Sequence, residues 1–503
     1  KEAVVDSRLR LTWSEANLQI ERVALAMTEL GFNKHDVVVI QTPDYWEHIL
    51  MRVVAEKLGI ITLPLMRTLR EAEVEHILKL TRAKGMVITW KVREFDYFEM
   101  LRKIRPTVPS LQKIFVVGDE VPEGTISIKE LARQTLEKKY PLDYLRDKKP
   151  RPEDIFLFSA TTGTTGFPKV TQWVLPARLT PALNHVESWG ITKDDICSSL
   201  APLPGLGGTI TYSCAPLVGA KIVLLEHYTP ENSLELIEKE RVTVLSLVPT
   251  QLVGMLSHAD FDKYDLSSLR VIRSSGGPTP PSLIDEAEKR IGCKVLISYG
   301  GTDFGSLTHI GVDSSDHARY FTVGKPLPNV EIRFIDEEGQ ESEEGEILVK
   351  GPCMSDGYFE NPEATWESWS KDGWGKTGDL GRFDEEGNLV ILGRRKDMII
   401  RGGQNIYPAE IERFLLAHPK VANAAVVGMS DQLMGERTCA YVVPRPREQL
   451  SFEEIVSFLR DKGLAPYKLP ERVEFIDELP LVADSKIDKK KLRADVAEKL
   501  KSE

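Results

Sequence analysis

Short apolar runs recur through the first half of this chain, at residues 37–40, 59–63, 86–88, 114–117, 155–158, 222–225, 242–248 and 295–297. Each has the length of a buried strand. Between several of them lie stretches such as 18–30, with apolar residues three and four positions apart, so strands and helices alternate along the sequence. Such alternation is the signature of parallel, doubly wound α/β sheets. The 503 residues exceed what one hydrophobic core organises, and more than one domain is expected.

From residue 330 to 393 the texture changes to strands and tight turns, as in Asp336-Glu337-Glu338-Gly339 and Asp384-Glu385-Glu386-Gly387-Asn388. That predicts a mainly antiparallel, barrel-like section. Helical spacing returns near Pro408, after the charged stretch Gly393-Arg394-Arg395-Lys396-Asp397. The boundary of a small, mobile α+β domain is placed there, giving a large domain over 1–395 and a small one over 396–503.

Composition excludes several classes. With 42% hydrophobic and 28% charged residues the chain matches a globular enzyme, and no apolar run is long enough to span a bilayer. A formal charge of -11 argues against nucleic acid as the main partner. The five cysteines, Cys197, Cys214, Cys293, Cys353 and Cys439, form no C-x-x-C pair, so neither a zinc site nor a disulfide framework is suggested. No secretory signal is evident, and the cytoplasm is the expected location.

Five segments carry chemistry. The run Thr161-Thr162-Gly163-Thr164-Thr165-Gly166-Phe167-Pro168-Lys169 follows an apolar strand and combines hydroxyls, glycines and one cation. Backbone N–H groups and hydroxyls there can converge on phosphate oxygens that Lys169 neutralises, although the Walker spacing is absent. Ser298-Tyr299-Gly300-Gly301-Thr302-Asp303 also follows a strand, so it emerges at the carboxyl end of a parallel sheet, where ligands bind. Tyr299 offers a flat face to a base, Thr302 a hydroxyl to phosphate and Asp303 a hard oxygen to Mg²⁺. Arg273-Ser274-Ser275-Gly276-Gly277 is read as lying just past another strand, its glycines able to lie against a planar ring. Lys376-Thr377-Gly378-Asp379 brings a carboxylate that can accept two ribose hydroxyls, with Arg394 beyond the next hairpin as a fork of donors. The fifth segment, Asp484-Ser485-Lys486-Ile487-Asp488, holds a lysine whose meaning depends on the other four.

Taken in order, these pieces resemble the adenylate-forming superfamily of acyl-CoA synthetases, peptide-synthetase adenylation domains and luciferases. The likeness runs from about residue 3 to 493. It rests on 161–169, 299–303, Gly345-Glu346-Ile347 through Gly357-Tyr358, Thr377-Gly378-Asp379, Gly393-Arg394, Arg401-Gly402-Gly403 through Glu410, and Lys486-Ile487-Asp488. The resemblance implies that a carboxylic acid and MgATP give an acyl-adenylate, and that a thiol then releases AMP. It implies that 161–169 holds the β- and γ-phosphates, Tyr299 flanks adenine, Asp303 holds Mg²⁺, and Asp379 with Arg394 holds the ribose. Lys486 would bridge carboxylate and α-phosphate, Lys396 would be the hinge, and Arg401, Gly402 and Gly403 would border a pantetheine tunnel. Pro204, Gly205, Leu206, Gly207 and Gly208, with Gly300 and Gly301, would line the acyl pocket.

Three positions depart from the family pattern. Asp303 stands where glutamate is usual, Ser485 replaces a glycine, and 201–208 lacks the usual histidine or aromatic residue. That segment is small and apolar, and no carboxylate stands where amino-acid-activating relatives pair with an α-amine, so the open, glycine-walled space suggests a hydrophobic acid, alicyclic or aromatic, rather than an amino acid. Pro168-Lys169-Val170 and Leu479-Pro480-Leu481 are similar to aryl-acid ligases that load carrier proteins, whereas 404–410 is nearer to CoA ligases. Free CoA is the favoured acceptor, with a carrier protein as the alternative enzyme reading and a catalytically weak nucleotide-binding regulator as the alternative outside enzymes. A homodimer stays open.

Overall fold

All eight apolar runs are strands in a computed structural model that describes residues 1–141, 143–161, 167–402, 404–482 and 486–502, with backbone alone at Asp147, Val482, Lys486 and Ser502. They lie in two seven-stranded sheets. The first runs Val170–Val174, Ile155–Ala160, Ile61–Pro64, Val37–Gln41, Gly85–Thr89, Lys113–Val117, Ile126–Ser127. Its strands are parallel except Val170–Val174, which folds back antiparallel on Ile155–Ala160. The second runs Lys294–Ser298, Val271–Ser275, Val244–Leu247, Ile196–Ser199, Lys221–Leu224, Glu2–Val5, Arg10–Thr12, and is parallel up to its antiparallel edge strand Arg10–Thr12.

Strand alternation divides the first sheet's side chains between two cores. Val38, Ile40, Val87 and Phe115 enter a core shared with the second sheet and with helices Trp13–Glu29 and Trp46–Leu58, while Val37, Val39, Met86 and Ile88 pack into a separate cluster. The helix predicted from residue 18 starts at Trp13, because Thr12 caps it. The Thr12 side chain accepts from the Glu15 N–H, and the Glu15 carboxylate accepts from the Thr12 N–H at 2.8 Å.

The expected antiparallel section is a five-stranded sheet ordered Glu341–Ser342, Glu331–Ile335, Glu344–Lys350, Gly375–Phe383, Leu389–Arg394. After it comes a second mixed unit. Strands Gln404–Ile406, Ile399–Arg401, Gly435–Pro444 and Val421–Asp431 form its sheet, with Arg472–Phe475 parallel to Gly435–Pro444. Ala424 and Val426 face helices Pro408–Leu416 and Phe452–Asp461, whereas Ala425, Val427 and Met429 face helix Lys489–Ser502. The period-two pattern therefore buries both faces of this small sheet within its own unit.

Leu459 is fully buried in that unit. Leu459→Ala should remove about 2–5 kcal/mol of local stability. Native-state hydrogen exchange should then quicken in Val421–Asp431 and stay unchanged in Val37–Gln41. Equal acceleration in both strands would contradict an independently cored C-terminal unit.

Candidate functional site: charged clusters at the sheets' carboxyl ends

Three parallel strands end at one place. Ile155–Ala160 leads into Thr161, Lys294–Ser298 into Tyr299, and Val271–Ser275 into Gly276. The backbone at the base of the first loop is closed by two hydrogen bonds. The Thr161 N–H donates to the Lys169 carbonyl at 2.8 Å, and the Lys169 N–H donates to Thr161 Oγ1 at 3.2 Å. Thr162, Gly163, Thr164, Thr165 and Gly166 lie outside the described residues.

Lys169 Nζ stands 4.7 Å from the centroid of the Tyr358 ring, which puts the cation beside Asp303 as well. Burial pushes the Asp303 carboxyl up, against the pull of Tyr358, Lys169 and Arg394. Its Oδ1 is buried with no hydrogen-bond partner among the described residues. The backbone around it is fixed by the Ser355 hydroxyl, which donates to the Asp303 carbonyl at 2.6 Å, and by the Thr171 hydroxyl, which donates to the Thr302 carbonyl at 3.4 Å. An orphaned hard oxygen in such a place fits a divalent cation.

A second cluster lies next to it. Tyr299 Oη donates to Asp379 Oδ2 at 2.7 Å, and Arg394 Nε donates to Asp379 Oδ1 at 2.8 Å. Asp379 is not in a turn: strand Gly375–Phe383 carries it, directly opposite Arg394 on Leu389–Arg394. The carboxylate is only 8% exposed, so an unpaired charge there would be costly. Burial, followed by the Asp379 charge, drives the Tyr299 hydroxyl well above its ordinary value, which keeps it a donor. A carboxylate has about four lone-pair sites, and two are occupied. The other two can accept hydroxyls.

Three expectations change in detail. Strand Val271–Ser275 runs through Arg273, Ser274 and Ser275, so Arg273 is inside the sheet and 2% exposed rather than past its end. Gly276 alone begins the loop, with φ of +85°, and a Cβ on Gly277 would stand 3.8 Å from Pro249. The glycines of the expected acyl pocket also divide. A Cβ at Gly207 would lie 2.3 Å from the Ala201 Cβ, at Gly208 2.9 Å from Leu203, and at Gly300 2.0 Å from the Gly305 carbonyl. Backbone packs on Gly208 and Gly300, and the Ala201 methyl packs on Gly207. Gly301 meets open space, and Gly205 nearly so. Pro204 lies in a turn just before the 3-10 helix Leu206–Gly208, Ser298 ends the strand that precedes Tyr299, and Thr302 follows Gly301.

The remaining expected residues lie in the C-terminal unit. Lys396 is exposed in a single 3-10 turn, Arg395–Asp397. Its neighbours are tied in opposite directions. Arg395 pairs with Glu346 of the antiparallel sheet at 2.6 Å, and Asp397 pairs with Arg493 of the last helix at 2.7 Å. Arg401 pairs with Glu471 at 2.7 Å. Gly402 has φ of +57° and donates its N–H to the Met434 carbonyl at 2.7 Å. Gly403 and Ser485 lie outside the described residues, and Lys486 is described by its backbone alone, in a hairpin strand opposite Val482. Tyr358, which bridges Lys169 and Asp303, appears in the sequence reading only as the end of the 345–358 motif, with no role given; its contact with a cation distant in sequence shows only in the fold.

Among the described residues no helix is long and apolar enough to cross a membrane. Two family models match: "AMP-binding enzyme" over residues 1–359 and "AMP-binding enzyme C-terminal domain" over residues 410–486. Relatives align along almost the whole chain. The 2-hydroxy-7-methoxy-5-methyl-1-naphthoate–CoA ligase of Streptomyces carzinostaticus is 30% identical over 98% of this chain and 89% of its own. The medium-chain fatty-acid–CoA ligase of Escherichia coli (strain K12) is 31% identical over 99% of this chain and 88% of its own. Among solved structures, the anthranilate CoA ligase AuaEII in complex with anthranoyl-AMP superposes with a TM-score of 0.89 at 27% identity, covering 100% of this chain and 95% of that one. With strand ends, charged clusters and both family models in agreement, this chain belongs to the AMP-binding enzyme family of adenylate-forming ligases.

Proposed function

We propose that the protein is an AMP-forming acyl-CoA synthetase, and that the cluster of Tyr299, Asp379 and Arg394 beside Lys169, Tyr358 and Asp303 is its ATP site. The observation that carries this reading is the pairing of a polar, acceptor-rich end suited to ribose with a cationic end suited to phosphates. Asp379 accepts the two ribose hydroxyls on its free lone pairs, and Arg394 holds that carboxylate in place. Tyr299 flanks the base, with Ser275, Gly276 and Gly277 forming the opposite wall. Thr161–Lys169 and Thr302 take the β- and γ-phosphates. Asp303 is the residue that would hold Mg²⁺, which when bound neutralises phosphate charge.

The chemistry sets a further demand. The acid's carboxylate oxygen must bond to the α-phosphorus while pyrophosphate leaves, so two anions approach in line. The Lys486 ammonium, delivered by the hairpin of the C-terminal unit, offsets that repulsion where charge develops. The CoA thiol then bonds to the acyl carbon and AMP departs, a step that needs another approach to the same carbon. We place the hinge for that change at Lys396, with the units bounded at 395 and 396. Arg401, Gly402 and Gly403 border the pantetheine path after the rotation, where a backbone free of Cβ allows close passage. The acid is hydrophobic and enters beside Gly205 and Gly301.

Acid-dependent exchange of pyrophosphate into ATP tests the first step, and CoA-dependent AMP release the second. Lys486→Ala should slow exchange about 10²–10³-fold while a supplied acyl-adenylate still becomes thioester at nearly the normal rate. Equal loss in both half-reactions would contradict the assigned role.

The hinge gives the converse prediction. Lys396→Pro restricts φ and removes an N–H, so thioester formation should fall at least about tenfold with exchange little changed. An unaltered overall rate would refute a hinge at this residue.

A further inference from the structure

Helix Trp46–Leu58 carries an unusual buried stripe. His48, Arg52 and Glu56 recur every fourth residue on one face, and Arg52 is only 2% exposed. The Arg52 guanidinium lies over the Tyr212 ring at 3.8 Å. From the other side Arg178, 9% exposed, donates to the Tyr212 hydroxyl. Arg273, 2% exposed, completes the group from the sheet below, donating to Ser246 Oγ at 3.2 Å, to the Leu206 carbonyl at 3.4 Å and to Ser298 Oγ at 3.4 Å. Arg273 is close enough to Tyr212 and Arg178 to interact with both charges.

Three buried guanidiniums without a matching anion are costly. Among the described residues none of the three makes an ion pair, and the Nε atoms of Arg52 and Arg273 are buried with no partner. Glu56, a carboxylate within reach of Arg52 and Arg178, is itself pushed up by burial against their pull. Burial alone would raise the Tyr212 hydroxyl, yet Arg178 and Arg52 outweigh it and hold the group below its ordinary value. The backbone at Tyr212 is also unusual: Ile210–Cys214 forms a π-helical turn, a geometry that occurs often at functional sites.

The cluster lies beside the 204–208 segment, which the proposal above sets along the acyl path. A Cβ on Gly208 would stand 3.1 Å from Tyr212 Cε1, and Arg273 touches both Leu206 and Ser298. We propose that Arg52, Arg178 and Arg273 around Tyr212 form an anion subsite at the inner end of this path, and that the substrate is a ring or chain acid bearing a second carboxylate. This rests on the proposed function. Only one carboxylate reacts: its oxygen bonds to the α-phosphorus and pyrophosphate departs. The other stays ionised on the guanidinium forks, which match a carboxylate's two oxygens. The hydrophobic body of the acid spans the space beside Gly205 and Gly301.

Matched pairs of acids test this in pyrophosphate exchange: benzoate with the three benzenedicarboxylates, cyclohexanecarboxylate with cyclohexane-1,4-dicarboxylate, and hexanoate with hexanedioate. At least one diacid should exceed its monoacid in kcat/KM by about tenfold or more. In Arg178→Leu that ratio should fall to about twofold or less, while the melting midpoint holds or rises because an unpaired buried charge is gone. A lowered midpoint with the diacid preference intact would make Arg178 structural and overturn the subsite. If wild-type protein exchanges monoacids as well as every diacid, the subsite is refuted and the synthetase reading stands; this arm needs no variant. Absence of exchange with every acid would overturn the synthetase reading and this inference with it.

Discussion

The Asp379 carboxylate holds the large domain together at the place where it matters. Tyr299 reaches it from the end of the second parallel sheet, and Arg394 from the neighbouring strand of the antiparallel sheet. A carboxylate this far from water is stable only if its charge is met, and both partners are donors. The same two bonds therefore join two differently built sections of the chain and leave acceptor capacity on the carboxylate. Removing either partner would weaken the pairing of a buried charge, so the proposed nucleotide site and the domain's internal junction depend on the same bonds.

The second constraint is the turn at Lys396. One neighbouring residue is tied to the large domain through Glu346 and the other to the last helix through Arg493. Each ion pair ties the backbone on one side of the turn, so the rotation proposed above would fall on the few torsions between them. The two pairs differ in setting: Glu346 is buried, while Arg493 and Asp397 are part-exposed. The Arg401–Glu471 pair lies wholly within the C-terminal unit and would travel with it.

Much of this was legible in the sequence. The apolar runs marked parallel strands because residues such as Val38 and Val39 pack against opposite cores, leaving no polar alternation. Strand Ile196–Ser199 was not legible. Its Cys197, Ser198 and Ser199 sit in the middle of the second sheet, where small side chains let helices approach, so burial there leaves no apolar mark. Charged motifs separated by turns were readable as ligand-binding loops, but that Asp379 and Arg394 stand directly opposite on neighbouring strands shows only in the pairing register. The glycines of 205–208 read as open space, whereas Gly207 and Gly208 are filled by Ala201 and Leu203. The arginine cluster left no trace, since Arg52, Arg178 and Arg273 meet only in three dimensions.

Binding of ATP and of 2′,3′-dideoxy-ATP, measured by calorimetry without acid, probes the central carboxylate most directly. Wild-type protein should bind ATP at least about tenfold more tightly than the dideoxy nucleotide, and Asp379→Ala should bind the two alike. Equal affinities in wild-type protein would contradict the account, because Asp379 would then be a structural pair only.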